Sequence, residues 1–219
     1  MALKLRTMKN NSANSSNLNK RRTQEERKAE SRRKIIQAAR ELFARQGYMR
    51  TTLNQVGAAA GYTGGLVSHR FGSKEDLLKA VVAHISSRFL VDQLKPSIET
   101  DSAQQAIRNY IEIYLKELTK REHHMRALYV IMGEAIGAVP EICDEIALLN
   151  RRARKILEDL VKQGINAGEF NSDNDPKAAS ILILGMLRGI TMQALVDRKS
   201  INLHELTPMV QRQVIIGLS

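Results

Sequence analysis

The side chains able to do covalent chemistry in this chain are few and scattered. Cys143 is the single cysteine in 219 residues, which excludes an internal disulfide and any multi-cysteine zinc site. His123 and His124 are adjacent, so on a helix they face different ways and cannot form an i, i+4 metal-binding pair. No nucleophile stands at a recognisable spacing from a base, and the Gly-rich phosphate loop of the Walker type is missing. We therefore expect no metal, no cofactor and no enzymatic reaction. The chemistry on offer is non-covalent: between Arg50 and Lys74 the chain collects hydroxyls, bases and glycines in "RTTLNQVGAAAGYTGGLVSHRFGSK", a set suited to hydrogen bonding with a polyanion.

Charge supports that reading. The formal net charge is +11, and it is uneven. Residues 1–24 carry six basic and no acidic residues, residues 25–95 carry thirteen against seven, and residues 96–219 carry fifteen against sixteen. Positive charge confined to one end predicts a polyanionic partner there, nucleic acid or an anionic membrane surface. The basic end lacks a strong apolar face to insert into lipid, so a membrane partner is not expected. There is no unbroken run of eighteen apolar residues and no cleavable apolar signal, which predicts a soluble, cytoplasmic chain.

The elements that must position these residues read as helices throughout. Residues 1–22, rich in Asn and Ser, predict a flexible basic arm or a stretch without a role. Thr23 with Glu26 forms a capping box ahead of a helix whose Ile35, Ala39, Leu42 and Phe43 share one face, and Gly47 ends it. Thr52 with Gln55 opens a short helix stopped by Gly61. Thr63 caps the next, about 64–70, and Ser73 caps a fourth with a stripe of Leu77, Leu78, Val81, Val82 and Ile85, ended near Pro96. Further helical patterns follow at about 102–119, 122–137, 140–167, 176–197 and 203–217. An all-α protein is predicted, with an arm at 1–22, a basic unit at 23–95 and a larger neutral helical bundle at 96–219.

Two short helices joined by the turn Gly61, Tyr62 and Thr63 make a helix-turn-helix, whose second helix enters the major groove by its first residues. That accounts for Gly64 and Gly65: a helix start without side chains lets backbone N–H groups approach phosphate or base edges. The competing reading for Gly65 is close packing on the preceding helix.

The string "TTLNQVGAAAGYTGGLVSHRFGSKEDLL", preceded by "LFARQGY", resembles the DNA-binding signature of the TetR family of bacterial regulators over about residues 32–80. The remainder is similar only in style to that family's helical ligand-binding and dimerisation domain. The resemblance implies hydroxyls near phosphate at Thr51 and Thr52, a backbone contact at Lys74, and DNA-facing positions at Thr63, Gly64, Gly65, Ser68 and His69, with Arg70 beside them. Many members have Tyr where this chain has Ser68 and Thr where it has Leu66; Leu66 either touches a thymine methyl or belongs to the core. Ser68 and His69 are then the expected base readers, and Arg50, Arg70 and Lys74 the phosphate contacts; the plain alternative for His69 is a solvated helix residue. "GLVSHRFGSK" is locally similar to BetI-like, choline-responsive members. The ligand is not carried over, because choline favours an aromatic cage and only Tyr110, Tyr114, Tyr129 and Phe170 follow residue 95.

Tyr110, Tyr114, Met125, Tyr129 and Met132 are candidates to line a small-molecule effector pocket, or else ordinary core at helical spacing. Glu134, inside the apolar run "VIMGEAIGAV", either fixes a cationic ligand or is a solvated face residue. "ASILILGMLRGITMQALV" is apolar nearly all round and carries Gly185 and Gly189 four residues apart, as in a close helix contact or a buried central helix. The family resemblance favours a homodimer through the last two helices, with Leu206, Val210 and Val214 completing a two-fold contact. The expected function is a ligand-responsive repressor of an inverted-repeat double-stranded DNA operator. An activator or a regulator without ligand would read the same, and a helical enzyme acting on an anionic substrate is the remote alternative.

Overall fold

The computed structural model describes residues 23–137, 139 and 142–219; the expected basic arm and Pro140 lie outside them. Among the described residues the secondary structure is entirely helical. The short helices follow their caps. α1 (Gln24–Gln46) opens on the Thr23–Glu26 capping box, α2 (Leu53–Ala60) on the Thr52–Gln55 box, and α4 (Lys74–Phe89) on a Ser73–Asp76 box. α3 (Gly64–Phe71) is capped by Thr63, whose hydroxyl accepts from the Leu66 N–H at 3.2 Å. Each cap supplies acceptors to amide groups that a helix start leaves without partners.

Pro96 does not end the fourth helix as expected. α4 stops at Phe89 and the chain continues as a π-helical turn, Leu90–Leu94, into the single turn α5 (Lys95–Ile98), where Pro96 sits in the first turn. α6 (Ala103–Lys120), α7 (Glu122–Gly137), α8 (Cys143–Asn166), α9 (Pro176–Val196) and α10 (Leu203–Leu218) complete the chain. The start of α6 is held by Glu169 from beyond α8, whose carboxylate accepts from the Ala103 and Gln104 N–H groups and the Ser102 hydroxyl at 2.8–3.0 Å.

Two apolar cores form, and they do not divide at residue 95. The first joins Ile35, Phe43, Val56, Val67, Leu77 and Val81 of α1–α4 to Ala127, Ile131 and Ala135 of α7 and Ile146 of α8. The second gathers α6, α8, α9 and α10 with Met125 and Tyr129. α7 is therefore shared between its faces: Met125 and Tyr129 pack into the second core, and Ala127, Ile131 and Ala135 into the first.

α9 packs Ile183, Leu184, Leu187 and Ala194 inward and leaves Ile181, Leu182, Met186, Met192 and Val196 exposed. Over eighteen of its residues the mean hydropathy is 1.7, enough by length and composition to cross a membrane.

Candidate functional site

The helix-turn-helix is set by two glycines whose roles differ. A Cβ on Gly57 of α2 would stand 2.6 Å from the Thr63 carbonyl carbon and 2.7 Å from the Gly64 nitrogen. Backbone cannot yield as a flexible side chain can, so glycine here allows α3 to lie on α2. Gly64 is packed as well, with the Asn54 Cα 3.0 Å from its Cβ position, whereas the surroundings of Gly65 are open. The packing reading offered for Gly65 thus belongs to Gly64, and Gly65 is the bare backbone at the exposed start of α3.

Thr52, Thr63, Gly65, Ser68, His69 and Arg50 are exposed, and Arg70 is half-buried. No acidic residue occurs between Glu41 and Glu75, so α2, α3 and their turn bring no carboxylate of their own to repel phosphate. Leu66 is partly buried.

Two expected phosphate contacts are committed elsewhere. Thr51 is 1% exposed, and its hydroxyl donates to the Gly47 carbonyl at 2.7 Å, which ties the end of α1 to the start of α2. Lys74 Nζ donates to the Met49 carbonyl at 3.1 Å and lies 4.3 Å from the centre of the Tyr48 ring. Burial pushes the Lys74 ammonium below its usual range, against the pull of Glu134.

Glu134 is neither in a ligand pocket nor simply solvated. From α7 its carboxylate accepts the Tyr48 N–H at 2.8 Å and the Met49 N–H at 3.2 Å. Gly47, buried and at φ +83°, has no room for a side chain, since a Cβ would stand 2.6 Å from Glu134 Oε1. The segment between α1 and α2 is therefore clasped from both sides, by Glu134 at its amides and Lys74 at a carbonyl. The isolated acid in an apolar run marked Glu134 as unusual, but only the fold could show its partner, 86 residues away.

The cavity lies between α4, α6, α7, α8 and α9. Tyr110, Tyr114 and Met125 line it, as expected, together with Phe89, Leu128, Leu149 and Leu184, and with Arg88, Glu117, Arg121, His124 and Arg188. Tyr129 stands behind that lining, its hydroxyl 3.3 Å from that of Tyr114 and donating to the Arg188 carbonyl. Met132 does not reach the cavity; it packs against the first core, because one further turn along α7 has left the lining. The charged residues were missed because their spacing in sequence carries no motif; α4, the end of α6, α7 and α9 bring them together. The enclosed space is about 50 Å³, room for a few waters and far below the roughly 300–1,000 Å³ of drug-sized sites.

Gly185 and Gly189 lie on the exposed apolar face of α9 with open space around them. On α10 the expectation needs correcting: Val210 and Val214 are buried in the chain's own core and Leu206 is packed against it. Helical phase instead leaves Met209 and Ile216 exposed, at 62% and 58%.

A helix-turn-helix with an exposed, acid-free reading face, carried on helices that also wall a cavity, defines a DNA-binding regulator with an internal sensor. Comparison with known proteins agrees. Residues 35–81 match the model for bacterial regulatory proteins of the tetR family, and residues 100–192 match that for a tetracyclin repressor-like C-terminal domain. The HTH-type transcriptional regulator CymR of Pseudomonas putida is 30% identical over 182 residues, covering 80% of this chain and 85% of the relative. The HTH-type transcriptional repressor KstR2 of Mycolicibacterium smegmatis is 25% identical over 151 residues, 67% and 71% of the two chains. Among solved structures, FadR of Bacillus subtilis in complex with stearoyl-CoA superimposes with a TM-score of 0.77 at 21% identity, covering 85% of this chain and 99% of that one. The chain belongs to the TetR family of bacterial transcriptional regulators.

Proposed function

We propose that this protein is a dimeric, ligand-responsive repressor: the ligand-free dimer occupies an inverted-repeat operator, and an effector in the cavity selects a form whose heads no longer fit it. One observation carries the reading. α4 and α7 each touch the DNA-reading end with one end and the cavity with the other. α4 places Lys74 against Met49 and, at its far end, Phe89 in the cavity wall. α7 runs the opposite way, with Met125 and Leu128 in the wall and Glu134 on the clasp. A ligand larger than the present space has to displace these helices.

The dimer is supported by the exposed apolar side chains of α9 and α10, Leu182, Met186, Met209 and Ile216 among them, since clustered exposed apolar residues mark interaction surfaces. A two-fold pairing there would present two α3 helices to successive major grooves, about 34–36 Å apart. Such a protein acts in the cytoplasm, where its DNA is. The likeness to BetI-like members bears on the DNA-reading string alone. Relatives named as repressors, KstR2 among them, favour repression over activation.

The test is fluorescence anisotropy with the DNA flanking the protein's own gene and with a shuffled control, across a salt series. A preference on the order of a thousandfold is expected for specific binding. His69→Ala should reduce that preference by roughly tenfold while leaving binding to the shuffled DNA unchanged; equal losses on both would remove the base-reading role of His69.

A further inference from the structure

We propose that the cavity takes an amphipathic anion: a molecule with an apolar body and one compact anionic group, a carboxylate being the simplest, whose head is held by Arg88, Arg121 and His124. The inference names the ligand class of the sensor and so rests on the repressor reading. The body of the cavity is apolar, walled by Ile85, Phe89, Met125, Leu128, Leu149 and Leu184. Its charged side chains are unbalanced, with Glu117 the only acid beside Arg88, Arg121 and Arg188 in the lining. Arg121 stands 3.7 Å from Glu117, and Arg188 is engaged by Asn150 at 2.6 Å.

Behind the lining the excess grows. Arg40 reaches from α1 and sets its guanidinium against His124 Nε2. The nearest acid to Arg40 is Glu41 at 3.7 Å, on the solvent side with 53% of its side chain exposed. Like charges at such range repel more strongly as water is excluded. Burial, then Arg40, Arg121, Arg88 and His84, hold the His124 imidazole down to about 4. An anion beside it would relieve that repulsion, and a cation would add to it.

Two buried polar atoms strengthen the case. Among the described residues, the Tyr110 hydroxyl, in a side chain 0% exposed, and Arg40 Nε have no hydrogen-bond partner. Native proteins rarely leave such atoms unsatisfied. Tyr110 lines the cavity, so a polar group there would give its hydroxyl the partner the chain does not, while Arg40 backs the cationic end through His124. Because Arg40 belongs to α1, a head group drawing on this cluster would also pull on the DNA-reading unit.

The experiment uses the full chain and three decyl-chain probes below their micellar or solubility limits: decanoate, decanol and decyltrimethylammonium. Calorimetry reads affinity and anisotropy reads release from the operator. Decanoate should bind about tenfold or more tighter than decanol, and the ammonium probe weakest. The R88Q/R121Q double variant should lose the preference for decanoate while still binding decanol, which shows that the cavity is intact. Equal or tighter binding of decanol or the ammonium probe, or a preference that survives the double substitution, overturns the proposal. Operator release by the uncharged or cationic probe would refute the anion while leaving the repressor reading standing. If none of the three binds the proposal falls, and if the protein also shows no operator preference the repressor reading falls separately.

Discussion

At the DNA-reading end the helix starts are closed by partners a few residues away, Thr52 with Gln55, Ser73 with Asp76 and Thr51 with the Gly47 carbonyl, and the longer ties, from Lys74 and Glu134, converge on the one segment between α1 and α2. Around the cavity the partners are distant, 15 residues for Tyr114 with Tyr129, 38 for Arg188 with Asn150 and 84 for Arg40 with His124. Tyr110 has no hydrogen-bond partner among the described residues. A unit closed by local bonds holds one geometry, which a reader of DNA needs. A region closed by long-range contacts, with the Tyr110 hydroxyl facing a cavity, has somewhere to go when a ligand arrives.

The sharpest way to break the local unit is Gly57→Ala. The added methyl meets backbone of the turn at 2.6–2.8 Å, so α2 and α3 must separate. A stability loss of about 2–3 kcal/mol in urea unfolding is expected, with specific operator binding abolished. Gly65→Ala is the control. With only the Thr63 hydroxyl near that Cβ, at 3.9 Å, it should gain up to about 1 kcal/mol of stability and, on the proposed reading of this backbone as DNA-facing, weaken only DNA binding.

Glu134→Ala attacks the junction between the two regions. It strips the acceptor from two amides, and that of buried Tyr48 is left unsatisfied, which costs about 1–3 kcal/mol. The variant should stay folded, bind operator more weakly and respond less to effector, because α7 no longer grips the segment between α1 and α2. An unchanged effector response would show that α4 alone transmits the signal.

This contrast also explains what could be read from the sequence. Caps, the Gly61 turn and the α1 stripe are signals within a few residues, and each is realised in α1–α4. Thr51 and Lys74 were expected at phosphate because a hydroxyl and an amine look available until the fold turns them onto the Gly47 and Met49 carbonyls. Tyr110, Tyr114 and Met125 were found in the cavity lining from their types alone, while Tyr129 stands behind it and Met132 packs elsewhere. Its arginines were not, since Arg40, Arg88 and Arg121 sit on separate elements and share no period. Val210 and Val214 were placed on the wrong face of α10 because an amphipathic stripe shows that a face is covered, not whether the chain's own core or a partner covers it.

The cavity's sensitivity to charge can be sharpened with pH. His124 titrates near 4 when folded and near 6.5 when unfolded, so the unfolded chain binds the proton more readily. The stability conferred by neutral His124 is complete above about pH 6.5 and is lost as pH falls towards 4. Thermal unfolding of the wild type should therefore show a falling Tm across that window, and His124→Gln, which keeps a hydrogen-bonding side chain without the titration, should flatten the slope.

Lys74→Met is the smallest effect and the finest test of where one region ends. If Lys74 served phosphate, its loss would lower the slope of log K against log salt by about one unit. The geometry instead spends its ammonium on the Met49 carbonyl and the Tyr48 ring. Methionine keeps most of the aliphatic packing and loses the hydrogen bond and cation–π contact, for a destabilisation of about 1 kcal/mol. The salt slope should match the wild type while affinity falls slightly on specific and shuffled DNA alike, through a looser junction between α1 and α2. A reduced slope would move Lys74 back to the DNA surface and leave Glu134 as the principal tie between sensor and reader.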